Sequence, residues 1–354
     1  MRCLYTKGTS PYTLQLNVTN MTRADSMMKL GSRTHDDVQL ALNPNATTAI
    51  AQHNSSTSLL KLPPEIKNKI YELLCGGQLL HLDQCWIGDT LQFTHEICQA
   101  GLSEQAADDL FNADTTAQWF VGAVETRHSG CFTNSEHIEK ISTSFLATCR
   151  QVYNEARHIP YSTNTFGFSK TSILDRFSNH LENLGSGQHL EIRRVFLDIT
   201  TRAFNEERLW QVAITQYLIP RLPAVQRISI NLNQWYHAGV IGCRTPAEFE
   251  ARHRSGNYLM SGLLELRKLP LNRATFVISD AEILWDRRAK MSADLIPQYR
   301  WTLAEKKVWA RYVKDIILQK DNQHATPSTT AVEKDTVAGK MALGLESSGK
   351  EQAD

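Results

Sequence analysis

Residues 193–232 read RRVFLDITTRAFNEERLWQVAITQYLIPRLPAVQRISINL, one strand–helix–strand unit. RRVFLDIT (193–200) is a short run rich in β-branched and apolar residues, the signature of a buried strand. EERLWQVAITQYLI (206–219) has helical spacing and runs to Pro220. AVQRISINL (224–232) is a second strand. The alternation continues downstream. SGNYLMSGLLELRKL (255–269) is a helix ended by Pro270, RATFVISD (273–280) a third strand, and LAEKKVWARYVKDIILQ (303–319) a long amphipathic helix. This order predicts α/β (or α+β) packing, with right-handed crossovers where the strands are parallel. The strand spacing is uneven, so an irregular strand–helix array is expected rather than a solenoid.

Upstream, LKLPPEIKNKIYELL (60–74) is the first ordered element. Pro63 and Pro64 suit the first turn of a helix, where a missing N–H costs nothing. Leu62, Ile66, Ile70, Leu73 and Leu74 fall on one face, with Lys67, Asn68, Lys69 and Glu72 pointing away. Gly76 and Gly77 end the helix. LLHL and TLQFTHEIC are strand candidates, SEQAADDLF is a short helix with Ser103 as its cap, and ETRHSGCFTNSE is a loop. In SFLATCRQVYNEARHIPY, a continuous helix is expected with a stripe of Phe145, Leu146, Cys149, Val152, Tyr153 and Ala156, stopped by Pro160. STNTFGFS leads from there into a short strand.

The 354-residue chain divides into four stretches. Residues 1–58 and 321–354 are polar, aperiodic tails of disordered composition. Residues 59–180 and 181–320 carry the fold, packed as one unit. Lys plus Arg number 38 against 37 Asp plus Glu, so no general pull toward nucleic acid or an anionic membrane is expected. No apolar run reaches membrane-spanning length, and the N-terminus lacks a secretory signal pattern. Seven irregularly spaced cysteines suit a reducing, intracellular compartment, cytoplasmic or nuclear. The Asn17, Asn20, Asn45 and Asn54 sequons are then accidents of composition.

No chemistry is written out. There is no phosphate-cradling loop, dinucleotide fingerprint, nucleophile elbow or H-E-x-x-H, so no catalytic residue and no cofactor are expected. Cys75, His81, Cys85, His95 and Cys98 lie in one region. With no C-x-x-C knuckle, and only His95 and Cys98 at ligand-like spacing, no metal site is expected. Lys306, Lys307, Arg311 and Lys314 make a basic face on the last helix, preceded by Trp285, Arg287, Arg288 and Lys290. Trp309, Tyr312, Val313, Ile316 and Ile317 form its core face, so the basic face is expected to be solvated.

Two segments carry a resemblance. LKLPPEIKNKIYELL resembles the first helix of an F-box. FLATCRQVYNEARHIPYSTNTFGF resembles the segment that follows in a group of fungal F-box-like proteins of unknown function, where a CRQxYxEA helix leads to a YxxNxF strand. In F-box proteins the motif docks onto the Skp-type adaptor of a cullin ubiquitin ligase, and the C-terminal part recruits a substrate. By position, Leu62, Pro63, Pro64, Ile66, Ile70, Leu73 and Leu74 match the docking helix. Cys149, Arg150, Val152, Tyr153, Asn154, Glu155, Tyr161, Asn164 and Phe166 match the second motif. The chain departs from the pattern by a long insertion between Leu74 and Phe145.

Three readings follow. The first is a non-enzymatic interaction protein, an F-box-like substrate adaptor. The second is a self-contained binding or scaffold domain without ligase docking, which requires Ile66 and Ile70 buried within the chain. The third is an enzyme whose site has no sequence signature. For the stripe itself, burial in the chain's own core is the preferred expectation, since each buried Leu or Ile is worth roughly 1.5–3 kcal/mol. Oligomeric state and substrate are not written in the sequence.

Overall fold

A computed structural model describes residues 59–87, 90–113, 124, 127–128, 131, 140–185, 187–201, 204–234, 243–251, 258–280 and 301–318. All belong to one unit, Met1–Lys320. The tails, the four sequons and the Trp285–Lys290 cluster lie outside the described residues.

The centre is a six-stranded sheet, β1 (Leu79–Ile87), β2 (Thr90–Ile97), β3 (Thr165–Phe168), β4 (Arg194–Thr201), β5 (Arg227–Gln234) and β6 (Arg273–Asp280). Its order is β2-β1-β3-β4-β5-β6. The β1–β2 hairpin is antiparallel and every other pair is parallel. The strands β3 to β6 are laid down side by side in one direction. Right-handed crossovers between them therefore put the connecting helices on one face.

That face carries Leu80, Phe166, Phe168, Val195, Leu197, Ile199, Ile228, Ile230 and Leu232, all buried. The stretch 171–183, for which no element is expected above, forms α5 in the chain and covers it. Before it come α1 (Pro64–Cys75), α2 (Glu104–Asn112), α3 (Arg150–Ala156) and α4 (Ile159–Ser162), and α5 itself spans Thr171–Asn183. Its Phe177 packs against Phe93, Phe166 and Phe168. The next crossover is α6 (Phe204–Val212), continued by a π-helical turn (Ala213–Leu218) and α7 (Ile219–Arg221). Pro220 thus lies inside the final turn rather than after it. Then come α8 (Pro246–Ala251), α9 (Tyr258–Leu264) with a 3-10 extension (Glu265–Lys268), and α10 (Leu303–Leu318).

The opposite face is more polar. His81, Gly167 and Phe196 form one row across β1, β3 and β4, and Asp198 and Asn231 another across β4 and β5. A Cβ at Gly167 would sit 3.2 Å from the His81 ring and from Phe196, so the small residue admits the imidazole. The free edge of β6 is closed by side chains. Asp108 of α2 accepts the Phe276 N–H at 3.0 Å and pairs with Lys314 of α10 at 2.8 Å. An edge strand otherwise offers open backbone groups to another chain.

Candidate functional site

The α1 corner inverts the expected burial. α1 begins at Pro63, whose carbonyl takes the Ile66 and Lys67 N–H groups, and it ends with the Gly76 N–H on the Glu72 carbonyl. Its buried residues are Lys67, Tyr71 and Cys75, not the apolar stripe. Leu73 is 75% exposed, Ile66 49% and Leu74 45%, while Leu62 and Ile70 are half-buried. Lys67, expected to point to solvent, instead points inward.

The reason lies in the second motif. A small cluster of Tyr71, Cys75, Leu146, Val152, Tyr153, Ala156 and Ile159 sits apart from the main core. The expected continuous helix is broken there. A 3-10 turn (Ser144–Ala147) is followed by an extended Cys149, whose sulfur accepts the Val152 N–H and starts α3. Pro160, expected to stop the helix, lies in the first turn of α4. Phe145 stacks on Tyr71 with ring centres 5.7 Å apart. Glu155 of α3 accepts from Lys67 Nζ at 2.7 Å, from the Tyr71 hydroxyl at 3.1 Å and from Gln151 at 2.9 Å. Burial alone would raise the Glu155 carboxyl. The bonds from Lys67, Gln151 and Tyr71 outweigh it and hold the carboxyl below its ordinary range. Burial, followed by the contact with Glu155, pushes the Tyr71 phenol up to about 12.

Asn164, fully buried, fixes this corner to the sheet. Its amide donates to the carbonyls of Cys75 and Pro160 and accepts the Gln78 N–H that leads into β1. Gly76 is the close-approach point, because a Cβ there would collide with Thr163 Oγ1. Tyr161 stacks on Phe166 within the core. Arg150 and Asn154 are exposed. Of the motif residues, Cys149, Tyr153, Glu155 and Asn164 thus form a clamp behind α1, while Tyr161 and Phe166 belong to the main core.

The long insertion carries several described elements. It supplies β1, β2, α2 and a cluster of cysteine and histidine side chains. His81 (β1), Cys98 (just after β2), His128 and Cys131 bring one ligand atom each to within 4.8 Å of one another. Cys98 Sγ is 3.8 Å from Cys131 Sγ and 3.4 Å from His128 Nδ1, and Cys131 Sγ is 3.9 Å from His128 Nδ1. Behind them, His128 Nε2 meets Glu104 Oε1 at 2.9 Å. Arg127 grips both Glu104 oxygens at 3.2 and 2.8 Å and donates to the Val124 carbonyl. Burial would raise Glu104, but the bonds from His128 and Arg127 lower it. Burial would lower His128, but its bonds to Cys131 and Glu104 raise it. The Cys98 thiol beside it, with both histidines, draws the Cys131 thiol down.

The sequence reading expects no metal site, and the fold nonetheless gathers a set of candidate ligands. Two of the reading's five residues, His81 and Cys98, do converge, but with His128 and Cys131 from a stretch read as loop. The other three stand elsewhere. Burial pushes the Cys75 thiol up to about 12, and its sulfur donates to the Tyr71 carbonyl. Burial also raises Cys85. His95 accepts the Ile141 N–H, and burial lowers its imidazole to about 3, so it is a neutral structural acceptor. A signal existed in the H-x-x-C at 128–131, whose partners lie far away in sequence.

An open groove runs past Cys98 and α2 along the starts of β3 to β6. Arg194, Arg227 and Arg273 occupy the same register on three neighbouring strands and all line it. Arg194 donates to the Thr163 carbonyl and Arg273 to Gln105.

Residues 51–212 are similar to a family described as a domain of unknown function (DUF7730). That match runs from before α1 to the end of α6, so it spans the clamp and the cysteine–histidine cluster alike. No curated protein and no solved structure matches the chain. No helix among the described residues is long and apolar enough to cross a membrane.

Proposed function

We propose that the chain is a non-enzymatic protein–protein interaction protein that docks through the outer face of α1, as an F-box-like substrate adaptor docks a Skp-type subunit of a cullin ubiquitin ligase. One observation carries this reading. α1 is anchored to its own protein by Lys67, Tyr71 and Cys75, while Ile66, Leu73 and Leu74 are turned outward. An apolar stripe left open on a helix that is firmly held from behind is the form of a docking helix. The described cysteines are thiols rather than disulfides, which suits a reducing cytoplasmic or nuclear compartment.

The test is direct binding of the purified full chain to a recombinant Skp-type adaptor, measured by calorimetry. Binding lost in an Ile66→Ala/Leu73→Ala/Leu74→Ala variant of unchanged melting temperature supports the proposal. An intact chain that neither binds the adaptor nor retains it from native extract ends the ligase reading.

A second reading, a binding domain without ligase docking, does not meet its requirement of a buried Ile66 and Ile70, since Ile66 is exposed and Ile70 half-buried, but it has the groove in its favour. Three in-register guanidinium groups along an open trough suit an acidic segment. Arg227→Glu/Arg273→Glu should abolish capture of such a segment and leave α1-dependent binding intact. Equal capture by both proteins rules the groove out.

A further inference from the structure

We propose that His81, Cys98, His128 and Cys131 bind one zinc ion, as a closed structural site that ties the β1–β2 hairpin to α2 and to the 124–131 stretch. Zinc in protein structural sites is tetrahedral, with bonds of about 2.3 Å to sulfur and 2.0–2.1 Å to nitrogen. Those lengths require roughly 3.8 Å between two sulfurs and roughly 3.5 Å between a sulfur and a nitrogen. The observed separations of 3.8 Å between the sulfurs and 3.4 Å from Cys98 to His128 match these edges. Cys131 to His128, at 3.9 Å, requires a shift of a few tenths of an ångström, and the 4.8 Å outer limit of the set, which involves His81, one of roughly 1.5 Å at most.

Three further features fit a metal better than packed thiols. The donor set is two sulfurs and two imidazoles, the soft and borderline ligands that select zinc over magnesium or calcium. His128 turns one nitrogen to the sulfurs and the other to Glu104, and Arg127 holds that carboxylate in a fork. A carboxylate behind a ligating histidine is the usual outer shell, fixing the tautomer and the ring orientation. His81 and Cys131 are almost wholly buried, and His81 also packs edge-on to Phe196. A disulfide is the alternative for two adjacent cysteines. It needs about 2.05 Å between the sulfurs and has no use for the two histidines or the Glu104–Arg127 pair. Four protein donors leave no open position, so the role is structural rather than catalytic.

The experiment is metal analysis of the full chain purified under reductant without added metal, followed by titration with zinc sulfate and with cobalt(II) chloride. One zinc per chain is expected, along with the visible absorption of tetrahedral cobalt(II) carrying thiolate ligands. Cys98→Ser and Cys131→Ser should each lose the metal, whereas Cys85→Ser, outside the cluster, should keep it. Glu104→Gln should weaken zinc binding by about 10–100-fold without abolishing it. Stripping zinc from the unmodified chain with a chelator should lower its melting temperature, and restoring zinc sulfate should recover it. That arm does not depend on any variant folding. A reduced chain that is metal-free and takes up neither ion overturns the site. So does zinc that persists in both Cys98→Ser and Cys131→Ser, since the ion then lies elsewhere.

Discussion

α1 and α10 are both amphipathic helices, and they bury opposite kinds of surface. α10 follows the rule for a globular core: Trp309, Val313 and Ile317 are buried, and Trp301 stacks on Trp309 at 4.9 Å. Even so, its basic face is not simply solvated as expected. Lys306 is buried, Lys307 reaches the Ala113 carbonyl, and Lys314 pairs with Asp108. α1 buries Lys67 and Tyr71 and turns its leucines out. An apolar stripe says that a face wants cover; it does not say whether the same chain supplies it. What decides is the partner opposite. Glu155 gives Lys67 a reason to be inside, and nothing among the described residues covers Leu73.

The comparison breaks first where the burial is deepest. Trp309→Ala should cost about 3–5 kcal/mol in urea unfolding, because a large ring and its stacking partner lose their packing. A cost below about 1 kcal/mol would mean that α10 is not core. Asp108→Ala should cost about 3 kcal/mol, since it strands both the Phe276 N–H and the Lys314 ammonium. Asp108→Asn separates the two roles, because it keeps an acceptor for the backbone while losing the charge.

Buried charges also predict opposite slopes with pH. Glu207 on α6 is 1% exposed, neither of its oxygens has a hydrogen-bond partner among the described residues, and burial pushes its carboxyl up to about 7. The unfolded chain ionises it near 4.5, so stability falls as pH rises from there to about 7 and stays reduced above. Glu207→Gln should therefore gain about 2–3 kcal/mol above pH 7 and nothing below pH 4.5. Equal gains at pH 4 and pH 8 would refute the assignment. Glu155 runs the other way. Its carboxyl is held low, so its contribution is present above about 4.5 and is lost as pH falls through the lower, folded value. Lys67→Ala should cost about 1–2 kcal/mol at neutral pH and shrink that acid-side loss, leaving only what Gln151 and Tyr71 contribute. An unchanged acid limb in the variant would show that the pair is not what α1 rests on.

Much of the sheet was legible from local pattern. RATFVISD coincides with β6, and Ser103 caps α2 through the Ala106 N–H as its position foretold. α5 went unassigned although Ile173, Leu174, Phe177 and Leu181 keep helical spacing, because its polar residues and a following Gly-Ser-Gly mask the period. The clamp was legible as residues but not as roles. That Glu155 neutralises Lys67, or that Asn164 joins three backbone segments, depends on contacts more than eighty positions apart. The cysteine–histidine cluster was hidden for the same reason. Its ligands come from β1, the end of the β1–β2 hairpin and the H-x-x-C at 128–131, so that one short spacing is all that announces it.

The finest test of the comparison concerns the smallest effect. Leu73→Ala should change folding stability by less than about 0.5 kcal/mol, because an exposed side chain loses little apolar burial when truncated. Truncation of a buried residue of α10, Val313→Ala, removes buried methyl groups and should cost about 1–2 kcal/mol. The contrast must be read alongside binding. If Leu73→Ala leaves the urea midpoint fixed while adaptor affinity drops tenfold, the residue is retained for a partner. If stability falls as it does for Val313→Ala, then α1 is covered by the chain itself, and the stripe is core after all.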